Sequence, residues 1–242
     1  MKNTLYIKST PSTNDFLKDF IRKNKVPEGF TVYTDFQTKG KGQVGNKWNA
    51  EKGKNLLFSI IIFPSDILIP LQFIISQIIS IAVVKTLEKY IDNVKIKWPN
   101  DIYWNNKKLG GILIENSLQS NFIKYSIIGI GINVNQIAFP SEIPNPVSMK
   151  QIIGKSLDRK RILADIIENF SVLFNDRNKF NIKEKYLNSL FRKDEFYPYK
   201  TIDGELFLAK VADIESDGKL ILQTSKNEIK EFYFKEIEFV FS

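Results

Sequence analysis

Cysteine and histidine, two residues that many enzymes use for catalysis, are both absent from this chain of 242 residues. Without cysteine, the chain has no disulfide and no thiolate zinc site. Without histidine, Ser-His and Cys-His catalysis and His-ligated metal sites are excluded as well. Any chemistry must therefore use carboxylates, amides, lysines and backbone dipoles. A chain without cysteine also suits a reducing compartment, and we expect a cytoplasmic protein.

Arginine is scarce, since the net charge of +8 comes from 30 lysines and five arginines. The lysines are scattered without a run of five or six, which favours a solvated basic surface. Nucleic acid, anionic substrates and an acidic partner remain alternative reasons for the charge. Residues 1–10 show no charged segment followed by an apolar core, so we expect no signal peptide.

Long uncharged segments are rare, and the stretch from Ile67 to Val84 is the one that raises the question of a membrane. It is close to the lower length limit of a spanning helix. Polar residues at 72, 76 and 80 would form a stripe along one side of a helix. We therefore interpret the segment as a buried core helix and expect no membrane contact.

The remaining pattern predicts an α+β fold. A near-continuous apolar run at 56–63 is typical of a strand buried on both faces. Further strands are predicted at 31–37, 94–98, 102–104, 108–115 and 123–134, and helices from Ser12 or Thr13 and at 158–175 and 182–191. After residue 195 four short strands, at 205–212, 219–224, 229–234 and 237–241, predict a small appended β-barrel. The predicted domains are thus 1–194 and 195–242.

A glycine-rich loop from Gln37 to Gly45 is the first candidate site. Its glycines at 40, 42 and 45 allow backbone N–H groups to approach an anion, and Lys39, Lys41 and Lys47 add positive charge. The spacing alone is weak evidence, because no helical pattern follows and a flexible polar loop is an equal alternative. Trp48 follows the loop and has a face suited to stacking on adenine, although a lone tryptophan is more often part of a core.

A second candidate is the segment Lys97-Trp98-Pro99-Asn100-Asp101. Pro99 ends a strand and leaves an amide and a carboxylate there, where Asn100 can contact a base or phosphate and Asp101 can bind Mg²⁺. A turn stabilised by the two side chains is an equally good interpretation of this segment alone.

Two later strands carry paired glycines beside lysine or amide side chains. Gly110 and Gly111 follow Lys108, and Gly129 and Gly131 precede Asn133. Glycine weakens a strand unless another group approaches its backbone closely. Together with the glycine-rich loop and the segment 97–101, these two strands make four such features in one chain, and four favour a nucleotide-dependent site.

These motifs together resemble the biotin protein ligases. The resemblance is carried by Ser12-Thr13-Asn14, the loop from Gln37 to Trp48, KWPND at 97–101, KLGGILIE at 108–115 and GIGINVN at 129–135. It implies a central mixed β-sheet with flanking helices, of the class II synthetase-like kind, followed by an SH3-like barrel. It also implies that ATP and biotin form biotinyl-AMP, with Mg²⁺, and that biotin is then transferred to a lysine of a biotin carboxyl carrier domain. No enzyme nucleophile is required, which agrees with the missing cysteine and histidine.

The resemblance also assigns roles to individual residues. Lys108 and Lys41 would be catalytic, with Lys108 contacting both the biotin carboxyl group and the α-phosphate. Asp101 would hold the metal. The residues implied to bind biotin are Ser12, Thr13, Asn14, Gln37, Gly40, Gly42, Gln43, Lys108 and Gly111. Those implied to bind ATP or the adenylate are Lys41, Gly42, Gln43, Trp48, Lys97, Asn100 and Asn133.

The chain departs from its relatives at Gln43, where many carry arginine, and at Val44 and Asn46, where others carry basic residues. We therefore expect weaker retention of the adenylate. Bifunctional relatives begin with a DNA-binding winged helix-turn-helix, for which the residues before Ser12 leave no room, so we expect the monofunctional type without repressor activity. A homodimer through an exposed sheet edge is possible. Lipoate-type ligases and octanoyltransferases are the alternative enzymes, and a basic nucleic-acid-binding module is the alternative of another class.

Overall fold

The computed structural model describes residues 3–43 and 45–241. Its strands are β1 Thr4–Ile7, β2 Thr31–Thr34, β3 Leu56–Ile62, β4 Val94–Lys97, β5 Asp101–Trp104, β6 Lys107–Gln119, β7 Phe122–Ile132, β8 Tyr197–Thr201, β9 Leu206–Ile214, β10 Leu220–Thr224, β11 Ile229–Phe232 and β12 Ile237–Phe239. Its helices are α1 Thr13–Lys23, α2 Phe73–Leu87, α3 Met149–Ile153, α4 Arg159–Asn175 and α5 Ile182–Asn188.

The larger sheet has seven strands in the order β1-β2-β3-β7-β6-β5-β4. It is mixed, because β1 runs parallel to β2 while the other neighbours are antiparallel. All seven residues of β3 are buried, which confirms the prediction of a strand buried on both faces. The central mixed sheet with flanking helices is also confirmed.

Alternate residues of β3 contribute to two different hydrophobic clusters. Phe58, Ile60 and Ile62 belong to the main core together with α2, α4 and α5. Ile61 packs on the opposite face with Leu17 of α1. The sheet therefore has α1 on one face and the other long helices on the opposite face.

Helix α2 and the short 3-10 turn before it, Ile69–Leu71, form a segment that is long and apolar enough to cross a membrane. Two thirds of that segment is buried inside the protein. Of the predicted polar stripe, Ser76 and Ser80 lie in the interior, while Gln72 is half-buried at the N-cap of the helix. Packing against α4 and α5 accounts for the apolar composition and confirms a core helix.

The C-terminal strands form a second, antiparallel sheet in the order β11-β10-β9-β8-β12. Its closure into an SH3-like barrel and the boundary at residue 195 remain predictions. The two sheets touch at Trp98, whose indole N–H donates to the carbonyl oxygen of Gly218 at 2.9 Å. Phe234, just after β11, lies 6.4 Å from Trp98 in an edge-to-face arrangement.

Three elements were absent from the sequence-based prediction: β1, α3 and β8. Strand β1 has only four residues and lies at the edge of the sheet, so its burial pattern is irregular. Helix α3 is five residues long and depends on a capping box between Ser148 and Gln151. Such short elements bury too few residues to show a clear period.

Candidate active site

The glycines of β6 and β7 form the floor of a cleft of about 640 Å³ on the α1 face of the large sheet. Gly111 pairs with Gly131 across the two strands, and Gly129 lies two residues earlier in β7. Their neighbours Ile128, Ile130 and Ile132 point into the main core, because side chains alternate along a strand. Glycine at these positions leaves the cleft face without side chains, so neighbouring groups can approach the backbone closely.

The start of α1 forms one end of the cleft. Ser12 is the N-cap and its hydroxyl accepts a hydrogen bond from the backbone N–H of Asp15. Gln37 accepts at its side-chain oxygen from both the backbone N–H and the hydroxyl of Thr13, at 2.7 and 3.0 Å. The network continues through Ser59, whose hydroxyl lies 2.7 Å from that of Thr13. A rigid polar wall therefore faces the glycine floor.

Asn14 completes this wall and packs over Gly129. Its side-chain oxygen lies 2.6 Å from the Ser59 hydroxyl, and its amide donates to Glu115 at 2.6 Å. A Cβ atom on Gly129 would overlap the Asn14 amide. These hydrogen bonds and the close packing on Gly129 leave the Asn14 side chain with little freedom to move.

Lys108 lies on the other side of the floor and forms an ion pair with Asp101 at 2.7 Å. The amide of Asn100 is held by a 2.6 Å hydrogen bond to the carbonyl oxygen of Ile112. The backbone of Lys108 bonds to the segment 145–147 in both directions, through Asn145 and Val147. The backbone of Lys108 is thus held by hydrogen bonds, and its ammonium group is neutralised by Asp101.

The glycine-rich loop lies over the cleft. Its Lys41 forms an ion pair with Asp15 in the first turn of α1 at 2.5 Å. The hydrogen bond from Lys41 to Asp15 raises the pKa of the lysine. Gly42 donates to the carbonyl oxygen of Asn46 at 2.9 Å, and Trp48 donates to that of Gly40 at 3.0 Å. Val44 lies outside the described residues.

Trp48 packs on the glycine floor, where a Cβ atom on Gly131 would overlap its indole ring. Within the described residues 3–43 and 45–241, neither the buried indole N–H nor the buried side-chain oxygen of Gln43 has a hydrogen-bond partner. Unpaired buried polar atoms are uncommon in proteins. Both groups line the cleft, so a bound ligand can supply the missing partners.

Asn133 and Lys97 occupy the remaining predicted positions. The buried amide of Asn133 donates to the carbonyl oxygen of Val147 at 3.2 Å, so part of its bonding capacity is used within the chain. The ammonium group of Lys97 lies over the rings of Tyr103 and Phe239. Burial lowers the pKa of Lys97.

The structure brings nearly all predicted site residues into one cleft. Those that line it are Ser12, Thr13, Asn14, Gln37, Lys41, Gly42, Gln43, Trp48, Lys97, Asn100, Asp101, Lys108, Gly111 and Asn133. Gly40 is the exception and packs against the backbone of Trp48. Sequence reasoning missed Ser59, Asp15 and Phe234, which become part of the site only through long-range contacts.

Among the described residues, no group of three or more acidic side chains is placed to hold a metal ion. Asp101 lines the cleft as a single carboxylate beside Asn100. Magnesium in nucleotide sites commonly uses one or two carboxylates together with substrate phosphates. The assignment of Asp101 to magnesium therefore remains a prediction that this arrangement fits.

Comparisons with known proteins give a consistent result. Residues 6–133 match the model of the biotin/lipoate A/B protein ligase family. The bifunctional ligase/repressor BirA of Bacillus subtilis is 33% identical over 227 residues, which cover 90% of this chain and 68% of that protein. The chloroplastic biotin–protein ligase 1 of Arabidopsis thaliana is 34% identical over 224 residues, covering 87% of this chain and 60% of its own length.

The solved structures agree with the sequence relatives. The biotin protein ligase of Aquifex aeolicus, in complex with biotin and ATP, superposes with a TM-score of 0.79 at 29% identity, and each chain is covered in full. The chain belongs to the biotin/lipoate A/B protein ligase family, and within that family it is one of the biotin protein ligases.

Proposed function

We propose that this chain joins biotin to a lysine of a biotin carboxyl carrier domain in two steps. A carboxylate oxygen of biotin attacks the α-phosphorus of ATP, and the bond to the leaving pyrophosphate breaks. The product is biotinyl-5′-AMP, a mixed anhydride. The amine of the acceptor lysine then attacks the acyl carbon, AMP leaves with the bonding electrons, and the amine proton passes to solvent.

The position of Lys108 is the observation that carries this proposal. It lines the same cleft as the polar wall of α1, suited to a neutral hydrogen-bonding ring, and the basic loop around Lys41, suited to phosphates. A carboxylate and an α-phosphate that meet near Lys108 would both be stabilised by its charge. Positioning and charge are the resources this reaction needs, and this chain provides them without cysteine or histidine.

The residues that line the cleft suggest how the two substrates divide it. Ser12, Thr13, Asn14 and Gln37 would hold the ureido ring of biotin, and Gly111 would lie along the ligand. Trp48 and Asn133 would contact the adenine, while the loop residues and Lys97 would contact phosphates. Asn100 would contact ATP, and Asp101 would hold magnesium, which neutralises phosphate charge when it is bound. The loop residues Gly40, Gly42 and Gln43 would help to hold the ligand.

An exchange experiment tests adenylation and substrate choice together. The protein is incubated with Mg²⁺, ATP and labelled pyrophosphate, with biotin, lipoate or octanoate in parallel. We expect exchange with biotin alone, and its loss in Lys108→Ala, with a melting curve showing that the variant is folded. Exchange with lipoate would place the activity among the lipoate-type ligases, and exchange with none of the acids would refute the proposed reaction.

The carrier domain as acceptor requires a separate experiment. We expect a purified biotin carboxyl carrier domain to gain the mass of one biotinyl group, and its Lys→Arg variant at the acceptor position to gain none. A lipoyl domain of similar size serves as the control acceptor. Equal labelling of both domains would contradict the proposed partner.

Several expectations about partners stay predictions. They are the lack of a repressor role, the lack of nucleic-acid and membrane binding, a possible homodimer, and a cytoplasmic location. An electrophoretic mobility assay with duplex DNA, with and without biotin and ATP, tests the first. Salt-dependent DNA binding would favour the nucleic-acid-binding alternative.

A further inference from the structure

The C-terminal sheet contacts the KWPND segment at two neighbouring residues. Trp98 donates its indole N–H to the carbonyl oxygen of Gly218, which precedes β10. The ring centroid of Phe239, in β12, lies 4.8 Å from the ammonium nitrogen of Lys97. Since Lys97 also lines the cleft, a residue of the second sheet directly contacts a residue of the candidate active site.

Lys97 has a different environment from Lys41 and Lys108. Lys41 and Lys108 each form an ion pair with an aspartate. Lys97 forms no ion pair within the part of the chain that the structure describes. Its ammonium group instead lies over two aromatic rings, Phe239 and, at 5.5 Å, Tyr103. We call these two rings the Lys97 cage.

An aromatic cage holds a cation without cancelling its charge. The ring face attracts the ammonium group through its quadrupole, whereas a carboxylate would neutralise it. A caged lysine therefore keeps most of its attraction for an incoming anion. A phosphate that approaches Lys97 has no aspartate pair to displace, in contrast to one that approaches Lys41 or Lys108.

The cage is fixed by a larger aromatic cluster at the junction of the two sheets. Phe191 lies 6.4 Å from Phe239, and Tyr103 lies 6.0 Å from Phe241. The guanidinium carbon of Arg192 lies 4.6 Å from the centre of the Phe241 ring. Because Phe239 itself is buried, its ring has a defined position above Lys97.

We propose that Phe239 is a positioning residue for ligation, which holds the Lys97 ammonium group toward the pyrophosphate portion of ATP. The C-terminal sheet is then a part of the active site. This inference rests on the proposed function for the identity of the nucleotide, but it concerns a site for pyrophosphate that can be measured without turnover.

Pyrophosphate binding in the presence of Mg²⁺, measured by calorimetry, tests this proposal. We expect Lys97→Met to weaken binding about tenfold, the loss expected for one charge-assisted contact. Phe239→Leu should weaken it by a similar factor, and Phe239→Tyr should retain wild-type binding because it keeps the aromatic face. In the Lys97→Met background, Phe239→Leu should add no further loss.

Phe207→Leu is a matched control in the same sheet. Its ring contacts another lysine, Lys230, at 4.7 Å, and neither residue lines the cleft. We expect this variant to bind pyrophosphate within about twofold of wild type. Melting curves check that each variant is folded, and Tyr103→Leu provides a second test from the other side of the cage if Phe239→Leu does not fold.

The outcomes separate this proposal from the proposed function. If Phe239→Leu binds pyrophosphate as tightly as wild type, the cage has no role; if Phe239→Leu does not fold, the same result for Tyr103→Leu decides the question. The proposal is also overturned if the double variant loses as much pyrophosphate affinity as Lys97→Met and Phe239→Leu lose together. Biotin-dependent exchange by the wild-type protein is measured separately, and its failure would refute ligation while the pyrophosphate result still decides the role of Phe239.

Discussion

The indole ring of Trp48 packs against the backbone of Gly131 so closely that a Cβ atom there would lie 2.7 Å from the indole nitrogen. Trp48 therefore covers part of the glycine floor, and its indole N–H has no hydrogen-bond partner in the part of the chain that the structure describes. The loop that carries it is anchored to α1 through Lys41 and Asp15. These contacts place the indole ring directly over the strand pair at the floor of the cleft.

A methyl group at Gly131 should disturb this arrangement specifically. We expect Gly131→Ala to lower the rate of biotin-dependent pyrophosphate exchange by about tenfold or more, because displaced groups in an active site lose catalytic alignment. The unfolding temperature should change little, since alanine suits a strand better than glycine. In a Trp48→Ala background the substitution should have a much smaller effect. Equal losses in both backgrounds would show that Trp48 is not the group displaced.

Ser59 and Ser80 offer a matched pair for the polar wall. Both are fully buried, but Ser59 bonds to Thr13 and Asn14, while the hydroxyl of Ser80 has no hydrogen-bond partner among the described residues. We expect Ser59→Ala to lower the free energy of unfolding by about 1–3 kcal/mol, the cost of unpaired buried groups. It should also raise KM for biotin about tenfold while KM for ATP stays nearly unchanged.

Ser80→Ala should leave both KM values unchanged. Its free energy of unfolding should stay within about 0.5 kcal/mol of the wild-type value. Urea denaturation and exchange kinetics measure both quantities. If the two alanine variants behave alike, the hydrogen bonds of Ser59 do not orient the site.

Retention of the adenylate should depend on position 43. No described residue forms a hydrogen bond with the buried side-chain oxygen of Gln43, and glutamine lacks the charge and forked geometry of arginine. We expect Gln43→Arg to slow release of biotinyl-AMP about tenfold, through a charge-assisted bond to the phosphate. Gln43→Lys, with the charge but without the fork, should have a smaller effect. Stopped-flow dilution of the preformed complex gives the rates, and unchanged release in Gln43→Arg would contradict this explanation.

Asp35 should contribute to stability in a pH-dependent manner. A hydrogen bond from Tyr6 and contacts with Arg159 lower the pKa of its carboxyl group. A carboxyl group whose pKa is lower in the folded than in the unfolded protein stabilises the folded state. This stabilisation is fully present above the unfolded pKa of about 3.9 and is lost as pH falls through the folded pKa. We therefore expect Asp35→Asn to lower the free energy of unfolding at pH 7. The difference in this free energy between the variant and wild type should become smaller below about pH 4.

Urea denaturation at pH 7 and in acid measures this difference. Asp19→Asn is the control, because the Asp19–Arg22 pair lies on the surface of α1 and exposed pairs contribute little. A constant destabilisation by Asp35→Asn at both pH values would show that the effect is steric and not electrostatic.

The sequence alone determined the family and the main elements. The period of β4, the continuous apolar run of β3 and the Asn105-Asn106 turn between β5 and β6 each predicted the element that is observed. Local patterns suffice there because each element buries a regular face. The glycines and lysines of the site were also identifiable, because their types and order are characteristic of a nucleotide-dependent ligase.

Only the tertiary structure decided how these groups are paired. Ser59 joins the site 46 residues along the chain from Thr13, and Lys108 is neutralised by Asp101. Phe239 reaches Lys97 from the second sheet. Such contacts depend on strand order and on which face a side chain occupies, and neither is encoded in a local pattern. For the same reason the unpaired N–H of Trp48 became apparent only when the chain was folded.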